Sequence, residues 1–199
     1  MPTNCTPFEL ARERAWSRVD GRGSRPRVRT HIVTTTYLEI TARTELRAGR
    51  SSRVSCTVAR VEEPTPALNR FLYVAVGQSW AWKDRLEWEA ARWTEYVDRP
   101  ELETWVAYVR GTPAGYFELE RQGDDVEIVY FGLLPAFIGL GLGGRLLETA
   151  IERAFDLGAA RAWVHTCSLD HPRALGNYLA RGMRVYRTEV DQGSAVRRD

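Results

Sequence analysis

The sequence is short of lysine, cysteine and long apolar runs, and each shortage excludes something. Lys83 is the only lysine among 28 basic residues, and the arginines are scattered along the whole chain. That pattern fits codon bias in a GC-rich bacterial genome better than a lysine-based chemistry. The three cysteines, Cys5, Cys56 and Cys167, are odd in number and irregular in spacing, so neither a disulfide framework nor a metal site is expected. No apolar run approaches the ~20 residues of a membrane helix, and the N-terminus lacks the apolar core of a secretory signal. No membrane partner and a cytoplasmic location are therefore expected. A formal net charge of +2 gives no grounds for a nucleic-acid partner.

What remains is an ordinary globular composition, 44% apolar and 27% charged over 199 residues, enough for one well-buried domain. Residues 1–29 carry seven arginines without sustained periodicity and read as a flexible basic extension; residues 30–199 read as a single domain. HIVTTTYLEITA is β-branched and predicts a first strand. A polar stretch follows, then a helix over ALNRFLYVAVG after Pro64 and Pro66. A second helix has Leu86, Glu89, Ala90, Trp93 and Val97 at helical spacing. From Glu103 onward TWVAYVR, AGYFELE and VEIVYFGLL predict three strands joined by tight turns. The loop PAFIGLGLGG opens a long helix closed by Gly158. The strand ARAWVHTCS, the short helix HPRALGNYLAR and the strand MRVYRTEV complete the chain. The fold class is α/β with a central mixed, largely antiparallel sheet flanked by helices.

Gly139, Gly141, Gly143 and Gly144 lie between a strand and a helix. Glycines there let backbone approach a ligand closely, and a helix N-terminus offers unpaired amides with a partial positive charge, a combination suited to phosphate. A Walker A loop needs a lysine and then Ser or Thr, but Gly144 is followed by Arg145 and Leu146. Gly139, Gly141 and Gly144 match a dinucleotide fingerprint literally. That fingerprint also expects an acid closing the next strand, and ARAWVHT supplies none.

The stretch EIVYFGLLPAFIGLGLGGRLL, Glu127 to Leu147, resembles the coenzyme A loop of the GCN5-related N-acetyltransferase superfamily, departing at Ile138 and Leu140 where the family is often basic. HPRALGNYLARGM resembles its second signature, with His171 in place of Asn, then Ala174, Tyr178, Gly182, and Met183 in place of Phe. The resemblance covers roughly Tyr37 to Val190. It implies acetyl-CoA as acetyl donor, held by the amides of Phe131, Leu133 and Leu134 and by Ile138, Gly139, Leu140, Gly141, Leu142, Gly143 and Gly144, with His171 and Arg173 beside them. It implies Tyr178 as the general acid that protonates the leaving thiolate, and Glu127 as the base. Period-two alternation places Glu127, Val129 and Phe131 on one face of their strand.

Glu118, on the partner strand, is a second base candidate. His165 and Cys167 sit near the end of the next strand, where Cys167 reads as a small buried side chain rather than a nucleophile. Trp80 and Trp82, in a predicted loop, are candidate walls of an acceptor pocket together with Glu118, whereas Trp88 and Trp93 read as core. The expected reaction is direct attack by a primary amine of a small molecule, amino acid or peptide within a ternary complex. A non-catalytic acyl-CoA-binding or partner-binding module of the same fold is the alternative, and a homodimer is left open.

Overall fold

The computed structural model describes residues 32–49 and 52–192. The arginine-rich extension read from residues 1–29 lies outside the described residues. Seven strands form one sheet: β1 (Ile32–Ile40), β2 (Thr57–Arg60), β3 (Leu102–Val109), β4 (Thr112–Gln122), β5 (Asp125–Leu133), β6 (Arg161–Cys167) and β7 (Arg184–Gln192). Their order is β2-β3-β4-β5-β6-β1-β7, and only β5 and β6 run parallel. The mixed, largely antiparallel α/β sheet expected from the sequence is present. Strand β2 falls in the stretch read as merely polar. Its four residues bury little, and pairing with Tyr108–Trp105 of β3 is what makes them a strand.

The β-branched run of β1 forms the predicted first strand, yet it does not lie at an edge. It pairs antiparallel with β6 on one side and β7 on the other, so the earliest described strand closes the latest part of the sheet.

Among the described residues four α-helices cover the two faces: α1 (Pro66–Gly77), α2 (Ala90–Val97), α3 (Leu142–Asp156) and α4 (Ala174–Ala180). Pro66 stands in the first turn of α1, where its missing N–H costs nothing. Helix α3 buries Leu142, Leu146, Leu147, Ala150, Ile151 and Ala154, one stripe at helical spacing. That stripe packs on Phe117, Leu119, Val126, Ile128 and Val164. Each buried leucine contributes about 1.5–3 kcal/mol. On the other face Leu72, Tyr73 and Val76 of α1 and Trp93, Tyr96 and Val97 of α2 enclose Val106, Tyr116 and Tyr130. Trp93 is core, as its helical spacing implies.

Strand β5 corrects the simple alternation. Its pairing with β4 steps from Glu118↔Tyr130 to Leu119↔Ile128, so Val129 is an extra residue, a β-bulge. The bulge resets the faces. Ile128, Phe131 and Leu133 share the α3 side, while Tyr130 faces α1 and α2. Phe131 is therefore opposite to where uninterrupted period-two alternation puts it.

Candidate active site

Strands β5 and β6 pair only through Asp125–Glu127 against Arg161–Trp163. Beyond that they part, and a cavity of about 740 Å³ opens between them. On its other edge β5 stays paired with β4 to Leu133. The Leu134 N–H then donates to the Ala114 carbonyl at 2.9 Å. In an antiparallel ladder the amides alternate in direction, so those of Phe131 and Leu133 point away from β4 and into the cleft. The expectation of a free Leu134 amide does not hold, because Leu134 lies on the other phase of the ladder.

The side of the cavity towards α3 and α4 is built from backbone. Ile138, Gly139, Gly141, Gly143 and Gly144 line it, with Arg173 and Tyr178. Gly141 is the α3 N-cap in a left-handed conformation (φ 84°) and lines the cavity together with Gly143 and Gly144 of the first turn. Leu140 and Leu142 do not belong to this wall. The Leu140 carbonyl accepts from Arg53 N–H at 3.2 Å and Ser52 Oγ at 3.3 Å, and the Leu142 side chain is sealed in the core. Asn177, which the sequence did not single out, donates from Nδ2 to the Gly143 carbonyl at 3.2 Å and so ties α4 to the glycine loop.

Tyr178 lies beside Phe131 with ring centroids 6.0 Å apart and lines the cavity while only 5% exposed. Burial, with the Asp170 carboxylate nearby, pushes its phenol well above the ordinary tyrosine range. It is a neutral hydrogen-bond donor at any working pH. His171, expected to touch the cofactor, also lines the cavity. Its Nδ1 is occupied locally, accepting from Arg173 N–H at 3.0 Å.

The opposite wall carries Val76, Trp80, Trp82, His165 and Asp170. Two bridges join the α1–α2 loop to the β6–α4 loop across the cleft. Trp82 Nε1 donates to Asp170 Oδ1 at 3.3 Å, and the Trp80 ring meets the His171 ring edge-on at 4.9 Å. Asp170 is fixed from behind by Thr166 Oγ1 (2.8 Å) and Cys167 N–H (2.9 Å). Trp80 and Trp82 line the cavity and are both anchored by these contacts.

Both carboxylate candidates are displaced from the roles the sequence suggested. Glu118 does not line the cavity. It is 1% exposed, accepts from Tyr96 Oη at 2.5 Å and Asn69 Nδ2 at 2.8 Å, and faces Arg85 at 4.0 Å. The Arg85 guanidinium stacks on Tyr96, Trp88 and Tyr130, closing the space that an acceptor would need. Glu127 also lies behind the cavity wall. It accepts from Gln122 Nε2 at 2.7 Å, and its Oε1 is 3.3 Å from His165 Nδ1. His165, not Glu127, reaches the cavity surface.

Gly132 lets the two walls meet. A Cβ there would collide with Val76 Cγ1 of α1. Gly132→Ala is expected to cost about 1–3 kcal/mol in urea unfolding. Adding Val76→Ala should recover part of that loss, since it removes the colliding methyl.

The family model described as Acetyltransferase (GNAT) family matches residues 67–183, more than half of the chain. The chain belongs to that family. An uncharacterized N-acetyltransferase of Mycobacterium tuberculosis is 32% identical over 102 residues, covering 51% of this chain and 65% of the relative. The chain thus spans just under two thirds of the curated relatives it matches. Among solved structures, a GCN5-related N-acetyltransferase from Sphaerobacter thermophilus superposes with a TM-score of 0.60 at 17% identity, over 82% of this chain and 51% of that one. An IAA acetyltransferase from Bacillus cereus superposes at 0.53 with 25% identity, over 67% and 79%. Among the described residues no helix is long and apolar enough to cross a membrane.

Proposed function

We propose that the protein transfers an acetyl group from acetyl-CoA to a primary amine by direct attack within a ternary complex. The observation that carries this reading is the parting of β5 from β6, which leaves Phe131 and Leu133 amides facing a cavity that also holds Tyr178. When bound, coenzyme A supplies the activated thioester. The Phe131 and Leu133 amides would hold the pantetheine arm and polarise the thioester carbonyl, and the first amides of α3 would face the diphosphate. Tyr178 would donate to the departing sulfur.

His165 is our candidate for the base: it lines the cavity, and the Glu127 carboxylate stands behind it with Oε1 3.3 Å from Nδ1. His165→Gln is expected to lower kcat/KM about 10- to 100-fold, with a smaller loss for Glu127→Gln. A Glu127→Gln defect larger than that of His165→Gln would return the base to Glu127. Asp170, Trp80 and Trp82 form the acceptor wall. The Asp170 carboxylate, bonded to the Trp82 indole, favours an amine that arrives as its ammonium ion and carries an apolar body.

The deciding experiment is calorimetric titration with acetyl-CoA followed by a thiol-release assay over a panel of amines. Thiol release with any amine supports catalysis. Binding without release from any amine supports the non-catalytic module, which the replacement of the family's Asn by His171 favours.

A further inference from the structure

The glycine loop lacks the basic side chains that related loops carry, since positions 138 and 140 are Ile and Leu. The structure brings a cation there from elsewhere. Arg181 follows α4, yet its guanidinium lies against the first turn of α3. A Cβ at Gly144 would collide with Arg181 Nη1, and one at Gly49 would stand 3.0 Å from the same atom. Glycine at both positions makes the room this side chain occupies. Arg181 is only 9% exposed, and its Nε is buried with no hydrogen-bond partner. Glu148, one turn further along α3, is engaged by Gly49 N–H at 3.1 Å and by Arg145 at 3.8 Å, and no ion pair joins it to Arg181 among the described residues.

This arrangement is costly without an anion. A helix N-terminus carries about half a positive charge, so a guanidinium beside it is repelled. A buried charged donor left without an acceptor adds a desolvation penalty. Both costs reverse when a polyanion sits at the mouth of the helix, because two positive poles then converge on it. We propose that Arg181 is a donor-binding residue: it supplies the positive charge for the phosphates of the acyl donor and takes over the task left open by Ile138 and Leu140. This rests on the coenzyme A reading above. It also makes the enzyme selective for donors bearing phosphate over the same thioester on a bare pantetheine arm.

The test compares wild type with Arg181→Met, which keeps the length and apolar stem but removes the fork. Calorimetric Kd values are measured for acetyl-CoA, and KM values for acetyl-CoA and S-acetylpantetheine, which has the same reacting end and no phosphate. Arg181→Met should weaken acetyl-CoA about tenfold or more and leave S-acetylpantetheine unchanged. Arg181→Gln gives a second route if Arg181→Met folds poorly, since it keeps a polar end without the charge. It should show the same selective loss.

Equal affinity of wild type and variants for acetyl-CoA would overturn the assignment of Arg181 and leave the donor reading intact. An equal loss for both donors would also overturn it, by showing that the side chain only supports the fold. Failure of wild type itself to bind acetyl-CoA would instead sink the donor reading, and the assignment with it.

Discussion

Tyr178→Phe is expected to lower kcat by about 10²- to 10⁴-fold while the Kd for acetyl-CoA stays within about twofold. The phenol oxygen is the only atom removed, and the ring that packs on Phe131 remains. Its neutral state is secured by burial and by the nearby Asp170 carboxylate, so it can donate to a thiolate as the carbon–sulfur bond breaks. Stopped-flow thiol release under saturating substrates is the measurement to make. Turnover at the wild-type rate with an intact fold would remove Tyr178 from the chemistry. A matching rise in Kd would make it a binding residue instead.

The second large effect concerns stability. Glu118→Ala should lower the unfolding free energy by about 3 kcal/mol or more. It strips two donors, Tyr96 Oη and Asn69 Nδ2, of their common acceptor inside a sealed space, and the Arg85 guanidinium of its counter-charge. Arg85 Nη1 already lacks a hydrogen bond of its own, so little is left to compensate it. Urea denaturation at neutral pH gives the number, and a loss below about 1 kcal/mol would show that the network is not what holds α2 on the sheet.

The same group makes a pH prediction with a definite sign. Burial is the largest influence on Glu118 and raises its pKa, against the lowering effect of Arg85 and its hydrogen bonds. A carboxyl whose folded-state pKa is raised favours folding most in its protonated form. Its contribution is complete below the ordinary carboxylate range and is lost as pH rises through the folded-state value. Wild type should therefore lose stability relative to Glu118→Gln as pH climbs through that window. Parallel stability curves for the two proteins would contradict this.

Much of the site was legible because its signals are local. The glycines between a strand and a helix, the proline opening α1 and the apolar stripe of α3 each follow from short-range spacing. Tyr178 was found through a motif on a single helix. The errors have one common source, which is pairing between distant segments. The bulge at Val129 is a property of two strands, visible only as the step in register against Glu118 and Leu119. It turns Phe131 to the α3 side, against strict period-two alternation. Glu118 reads as an open strand carboxylate until Arg85, 33 positions away by number, is seen to close over it. Glu127 lies behind the cavity wall while His165 lines it, an ordering across two strands that spacing within one strand does not carry.

The sequence by itself determined the order and type of nearly every element, the glycine-rich turn from Gly139 to Gly144 at the start of α3, and the candidate acid. These depend on backbone conformation and helical or strand period, which neighbours in the chain impose. Only the tertiary structure decided which polar groups face the cavity. It inserted β1 between β6 and β7, parted β5 from β6, sealed Glu118 beneath aromatic rings, and carried Arg181 to the start of α3. The reason is physical: exposure, charge partners and strand register are set by contacts between residues far apart in the chain, and local spacing holds no record of them.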